Sequence, residues 1–216
     1  MGLDKNIVTA LFKDRENNIW VLSESMILLF NPFTRQHKVV RLTNPSNGSR
    51  YSIFYDMCET ANGYWIAAYG TGLIETDKSM KLKRVISSAN GLSNNAVYKV
   101  FAFRDSMVIV TSNNGLSVIK PYENSIKNYY QSDGLHSNAF ENFCGYQDEK
   151  LLYAGGVNGF TGINPAAFSI NSIAPKLYFT QIQTKTNSSL LDTSSLSMDQ
   201  FSIPHNWLQA TIFFGP

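Results

Sequence analysis

The sequence is short of most of what marks a metalloprotein, a membrane span or a nucleic-acid surface. It has two cysteines, Cys58 and Cys144, with no CxxC pair and no histidine at ligand spacing, so a zinc site is not expected. Both thiols are expected to be buried and reduced. Charged residues make up only 16% of the chain and the net charge is +2, with no basic cluster, which argues against nucleic acid as a partner. Apolar runs such as WVLSESMILLF (20–30) are interrupted within a few residues, so none approaches a membrane span. The opening MGLDKNIVTALF lacks the charged and apolar regions of an export signal. Neither a GxSxG elbow, an HExxH pair nor a phosphate-binding loop occurs.

Present instead are 14 Phe and 11 Tyr, many Val, Ile and Thr, and a repeated phrase. NGLSNNAV (90–97) returns as DGLHSNAF (133–140), 43 residues later. Four longer segments share one pattern: IWVLSESMILLFNP (19–32), YWIAAYGTGLIETD (64–77), MVIVTSNNGLSVIKP (107–121) and LLYAGGVNGFTGINP (151–165). Their anchors Trp20, Trp65, Val108 and Leu152 stand 45, 43 and 44 residues apart. Gly72, Gly115 and Gly159 each follow their anchor by seven residues.

Each repeat reads as four strands. An apolar run precedes the anchor strand, a Gly/Asn turn follows it, and a third strand ends near Pro32, Pro121 or Pro165. A fourth strand is expected in HKVVRL, KLKRVIS and NSIKNYY. Four antiparallel strands per repeat of about 44 residues is the arithmetic of a β-propeller blade. A β-sandwich would not predict repeats in register. The expected fold is all-β: a partial β-propeller of about four four-stranded blades, at about 6–45, 50–93, 96–136 and 139–170 within a domain 1–170, then a second domain over 171–216.

The repeated phrases fall where the outer strand of one blade connects to the inner strand of the next. Gly91 and Gly134 are expected to turn the chain there, and Leu92 and Leu135 to plug the gap between neighbouring sheets. Strand counting places these connectors on the same face as the turns between second and third strands. That face gathers Tyr69, Asn113, Asn114 and Asn158 with Asn94, Asn95, His136 and Asn138 as candidate ligand-binding residues, since amides pair donors with acceptors and rings stack on a flat apolar face. Turn formation alone accounts for any one of them. Asp14, Asp105 and Asp148 recur between first and second strands, where a carboxylate suits an Asx-turn better than catalysis.

The repeat pattern W-[IV]-x-[TA]…G-[LF]…[IV]-x-P and the GLSNN-type connector resemble the two-component regulator propeller repeat, in the sensor half of bacterial hybrid two-component systems. ENFCGYQDEKLLYAGGVNGFTGINPAAF resembles the last repeat of such sensors. APKLYFTQIQT (174–184) and IPHNWLQATIFF (203–214) resemble the opening strands of the Ig-like triple-tyrosine β-sandwich that follows it. Between them NSSLLDTSSLSMDQ (187–200) reads as a loop or linker. The resemblance implies a piece of a periplasmic sensor that recognises an oligosaccharide and relays its presence through the Ig-like domain, with the kinase outside this chain. It implies no catalytic residue, cofactor or metal in this chain. A protein-binding scaffold and a propeller lyase are the alternatives. Four unclosed blades also leave two apolar flanks, from which self-association is expected.

Overall fold

The computed structural model describes residues 7–168, 178–185, 190–193 and 208–215. The chain divides into two compact units, 1–168 and 169–216. The first is built from four antiparallel sheets in sequence order. β1 (Val8–Lys13), β2 (Ile19–Ser23), β3 (Ile27–Phe30) and β4 (His37–Val40) form the first. β5 (Phe54–Thr60), β6 (Gly63–Ala68), β7 (Gly72–Thr76) and β8 (Leu82–Ile86) form the second, and β9 (Val97–Phe103), β10 (Met107–Ser112), β11 (Gly115–Lys120) and β12 (Ser125–Tyr129) the third. The fourth holds three strands among the described residues, β13 (Phe140–Gln147), β14 (Leu152–Gly156) and β15 (Gly159–Ile163). Within each sheet the strands meander, and the first strands β1, β5, β9 and β13 pack on one another in turn. This is the radial arrangement of propeller blades, with the first strand of each sheet innermost.

Three cores hold the blades together, one in each gap between neighbours. Trp20, Leu22 and Ile27 meet Phe54, Met57 and Ile66 between blades 1 and 2. Trp65, Ala67, Leu73 and Leu92 meet Val97, Val100 and Val110 between blades 2 and 3. Phe101, Ile109 and Leu116 meet Phe140, Leu152 and Ala154 between blades 3 and 4. A blade covered on both sides needs apolar residues at every position of its middle strands, not at alternate ones. Accordingly β6 (GYWIAA) and β10 (MVIVTS) are buried throughout, whereas β2 and β14, in the end blades, are buried at only some positions.

In blades 2 and 3 the glycine seven residues beyond the anchor is explained by a close approach. Gly72 has φ 106°, and a Cβ there would lie 2.2 Å from the Ile86 carbonyl oxygen of the outer strand. At Gly115 the same atom would lie 2.6 Å from the Tyr129 carbonyl oxygen. Only glycine lets the turn fold this tightly under the last strand.

The two cysteines part company. Cys58 is buried between blades 2 and 3, where burial pushes its thiol well up. Cys144 is exposed, contrary to the expectation of a buried thiol. It lies in β13, whose register slips between Phe140 and Gly145.

In the second unit, β16 (Tyr178–Lys185) pairs antiparallel with β17 (Leu190–Thr193) on one side and β18 (Gln209–Gly215) on the other. Part of the stretch expected to be a loop, LLDT, is therefore strand: its backbone completes a ladder from Ile182 to Lys185. The rest of that stretch, His205, and the first residues of both sandwich-like segments lie outside the described residues.

Asp14 is the polar node between blades 1 and 2. It is 3% exposed, and its carboxylate accepts from the Trp20 indole N–H (2.9 Å), the Asn18 backbone N–H (2.8 Å), the Asn18 side-chain amide (3.1 Å) and the Glu16 backbone N–H (3.0 Å). The Tyr64 hydroxyl of blade 2 donates to it at 3.4 Å. Burial works to raise the Asp14 pKa, but these hydrogen bonds outweigh it and hold the carboxyl below its ordinary 3.8. Asp14→Ala leaves the buried Trp20 N–H without its acceptor and is expected to cost about 2–4 kcal/mol in chemical denaturation. Because the folded pKa is depressed, the Asp14 contribution is complete above the unfolded pKa and fades as pH falls through the folded one. The gap between wild type and Asp14→Ala should narrow in melts taken progressively below pH 3.8.

Candidate functional site

The two copies of the repeated phrase have matching backbone duties. Asn90 accepts from the Ser87 N–H through its side-chain oxygen, and Asp133 from the Tyr130 N–H at 2.8 Å. Each closes a 3-10 turn, Ser88–Asn90 or Gln131–Asp133, and Gly91 (φ 117°) or Gly134 (φ 102°) then reverses the chain. Leu92 fills the gap between blades 2 and 3 at 4% exposure, and Leu135 packs half-buried on the core between blades 3 and 4. The next backbone N–H, of Ser93 or His136, donates to the hydroxyl of Ser117 (3.0 Å) or Thr161 (3.2 Å). Asn94 accepts from the Ala96 N–H at 2.8 Å, as Ser137 does from Ala139 at 3.1 Å. Asn95 accepts from the Ser88 N–H, and Asn138 from Gln131, both at 2.6 Å.

His136 is likewise engaged on both ring nitrogens. Nε2 lies 3.1 Å from the Val157 carbonyl oxygen and Nδ1 lies 2.7 Å from the Thr161 hydroxyl. A carbonyl can only accept, so Nε2 is the donor to Val157. Such a ring fastens the connector to the β14–β15 turn. Connectors and turns do share one face: Gly115 N–H donates to the Asn138 carbonyl (2.6 Å), and Tyr69 bridges Ala96. Asn113, Asn114 and Asn158 stand exposed at the turns of that face.

Tyr69 leads to a cluster that the sequence reading passed over. Each innermost strand pairs at its first residue and then slips. Val8 faces Ser23 but Ala10 faces Leu22; Phe54 faces Ala68 but Asp56 faces Ala67; Val97 faces Ser112 but Lys99 faces Thr111. One extra residue is thus bulged in each blade: Thr9, Tyr55 and Tyr98. In blade 4 the slip is larger, running from Phe140 to Gly145. A bulged residue leaves the alternation of its strand, and its side chain is re-aimed. Tyr55 and Tyr98 belong to none of the blade-to-blade cores and stand half-buried.

Four rings meet as a result. Tyr55 lies 5.8 Å from Tyr98, 5.8 Å from Tyr69 and 5.9 Å from Phe143, centroid to centroid, the last two edge-on. Tyr69 stacks over Tyr98 at 6.4 Å with 21° between planes. Phe143 reaches blade 2 from blade 4, so the cluster lies where the inner strands converge. Phe143 holds φ 59°, an uncommon conformation for a bulky residue, and is 58% exposed; Tyr69 is 44% exposed. Burial, then the neighbouring Tyr69, Glu141 and Tyr55, pushes the Tyr98 phenol up, so it remains a neutral donor.

Beneath the rings, Lys99 of blade 3 pairs with Asp56 of blade 2 at 2.8 Å, and Asp56 also accepts the Val100 N–H at 3.0 Å. Burial pushes the Asp56 carboxyl up, against the pull of Lys99. At the opposite ends of the strands, Arg15 grips Asp105 through two hydrogen bonds of 3.0 and 2.6 Å, and Asp105 also accepts the Ala61 N–H. Asp148 accepts the Lys150 and Leu151 N–H groups in its own turn. The recurrent aspartates therefore tie turns and blades. No group of three or more His, Cys, Asp or Glu suited to a metal occurs among the described residues. A separate polar cleft of about 590 Å³ lies between the first connector (Asn44–Ser52) and β8, reaching Gly70 and Thr71 beside Tyr69.

Comparison with known proteins bears on the repeat and the fold. Residues 2–25 match the family model described as two component regulator propeller. No curated protein matches the chain. Among solved structures, the chain superposes with TM-score 0.64 and 20% identity on one described as the extracellular domain of the one component system BT4673 from B. thetaiotaomicron, covering 92% of this chain and 30% of that one. A structure described as the extracellular domain of the hybrid two component system BT4673 gives TM-score 0.63 and 19% identity, over 85% and 26%. YCF48 bound to D1 peptide gives TM-score 0.53 and 14% identity, over 78% and 53%. The chain thus spans less than a third of the two BT4673 domains. A two component regulator propeller repeat is thus matched at residues 2–25, and the neighbours share the fold over most of the chain.

The duplicated amide caps give a direct measurement. Asn95→Ala and Asn138→Ala each remove one acceptor for a connector N–H and should each lower stability by about 1 kcal/mol in urea denaturation. The two connectors are separate, so the double variant should lose close to the sum.

Proposed function

We propose that this chain is an extracytoplasmic ligand-sensing part of a two-component signalling protein, and that its ligand is an oligosaccharide. The observation that carries the reading is the ring cluster of Tyr55, Tyr69, Tyr98 and Phe143. Aromatic faces receive the apolar C–H face of a pyranose, and three phenols supply the hydroxyl partners that a sugar rim needs. Two structural neighbours described as extracellular domains support an extracytoplasmic placement. In this reading the periplasm is the compartment and the C-terminal sheet carries the signal onward. No helix among the described residues is long and apolar enough to cross a membrane. The amides of Asn113, Asn114 and Asn158 stand exposed on the face that carries Tyr69 and can extend the contact.

A second reading, a platform for a protein segment, is favoured by the exposed Phe143, which has no hydroxyl to offer a sugar. A propeller of this fold bound to a peptide is among the neighbours.

A thermal-shift panel of neutral and acidic oligosaccharides, with unrelated peptides as controls, separates the two. One saccharide class should raise the melting temperature. Tyr55→Ala and Tyr98→Ala should each weaken its binding about tenfold, equivalent to about 1.4 kcal/mol, and leave the circular dichroism spectrum unchanged. Absence of a shift with every saccharide, or binding untouched by both substitutions, overturns the carbohydrate reading.

A further inference from the structure

The connector from blade 1 to blade 2 abandons the repeated phrase. In place of a 3-10 turn, residues 42–51 fold back as a hairpin. Tyr51 N–H donates to the Leu42 carbonyl (2.9 Å), Asn44 N–H donates to the Ser49 carbonyl (2.8 Å), and Thr43 bridges Arg50. The polar cleft of about 590 Å³ lies between this hairpin and β8. Its floor is fixed: Tyr51, Leu82 and Val85 line it and also pack, half-buried, on the core between blades 1 and 2. Burial pushes the Tyr51 phenol up, so its hydroxyl stays a neutral donor. Ser46, Ser52 and Thr71 line the cleft with side chains that make no hydrogen bond among the described residues. Through Thr71 and Gly70 the wall continues toward Tyr69 of the ring cluster.

The charge of the cleft is of one sign. Arg50, Lys83 and Arg84 line it, and no Asp or Glu does so among the described residues. Lys83 and Arg84 share one carboxylate: Glu75 lies 3.6 Å from the Lys83 ammonium and accepts from Arg84 Nε at 2.6 Å. Arg50 is exposed and has neither an ion pair nor a side-chain hydrogen bond among the described residues. One carboxylate does not cancel three cations, so the cleft keeps a positive field with a guanidinium free to receive an anion. A bare inorganic anion needs only that guanidinium. The apolar floor, the hydroxyl walls and the passage to Tyr69 fit a larger body, a sugar residue that carries the anion.

We propose that this cleft is a second subsite for the oligosaccharide and that the sugar it receives is acidic. Its carboxylate or sulfate ester lies on Arg50, and its apolar face on Tyr51, Leu82 and Val85. The inference rests on the carbohydrate reading and narrows it to anionic saccharides, with Arg50 as the residue that selects them.

Isothermal titration calorimetry on the full chain tests the subsite with three sets of probes: oligogalacturonides, sulfated carrageenan oligosaccharides and neutral xylo- and cello-oligosaccharides. At least one acidic set should bind about tenfold more tightly than the neutral sets, the range of a charge-assisted contact. Its affinity should fall as salt is raised. Which acidic set binds tells carboxylate from sulfate as the anion. Arg50→Gln should weaken that binding about tenfold and flatten its salt dependence, whereas Arg50→Lys, which keeps the charge, should retain part of it. Arg50 is exposed, and circular dichroism verifies that both variants are folded. Binding by the neutral sets alone overturns the acidic subsite and leaves the carbohydrate reading standing. Acidic binding that Arg50→Gln does not change overturns the subsite as well. Acidic binding that falls in Arg50→Gln but not in Tyr55→Ala or Tyr98→Ala supports the cleft and removes the ring cluster from the site. No binding by any set overturns both readings.

Discussion

Contact between the faces of successive sheets is the interaction on which everything else in the first unit depends. A four-stranded sheet with two apolar faces is not stable alone; it must be sandwiched, and for blades 2 and 3 the neighbour on each side is another copy of the same sheet. That requirement removes hydrophobic alternation from β6 and β10, which are buried throughout, and restores partial exposure in β2 and β14. It also assigns the aromatic and large aliphatic anchors their place. Trp20 and Trp65 fill gaps between blades, and the sheet itself holds no core of its own.

The polar parts of the sequence follow from the same packing. Bringing one blade onto the next forces the chain to cross from rim to axis in a few residues, where no ladder can receive its N–H groups. The phrases NGLSNNAV and DGLHSNAF solve that problem in parallel: an acid or amide closes the 3-10 turn, glycine takes the positive φ, leucine enters the gap, and a second amide caps the turn from the far side. Substitutions between the copies respect the duty and not the chemistry. Asn90 becomes Asp133 and Asn94 becomes Ser137, and each remains an oxygen acceptor at the same place.

Architecture was legible because it is written in repetition. The repeat period, the turn glycines and the fourth-strand runs were all visible, but the anchors were aligned one residue off: register sets Ile109 and Tyr153, not Val108 and Leu152, opposite the positions of Trp20 and Trp65. The ring cluster was less legible. Tyr55 and Tyr98 sit in strands whose apolar neighbours suggested plain core, and only Tyr69, in a turn, stood out as polar-facing. A signal for the bulge does exist: Phe54 and Met57 enter one core, as do Val97 and Val100, at a spacing of three, which an unbroken strand of period two cannot produce. Cys144 and Leu190–Thr193 were misread for related reasons. The slip in β13 and a short ladder closed by β16 are both matters of register, and register is not a property of composition.

The bulges also separate what the repeat must conserve physically from what it is free to vary. Packing dictates the residues on every blade face that another blade covers. The bulged position belongs to neither face, so blade contact places no demand on it. Thr9, Tyr55 and Tyr98 differ accordingly: Thr9 donates to the Phe54 carbonyl of the next blade, while the two tyrosines turn their rings to Tyr69 and Phe143. In blade 4 the slip is longer and admits Phe143 in a left-handed backbone conformation that an ordinary strand would not contain. A scaffold built by repetition thereby keeps, at one point in each innermost strand, a side chain free of structural duty in the blade cores, and these points converge near the axis. A site specific to this chain can be composed there without disturbing the contacts that hold the blades together.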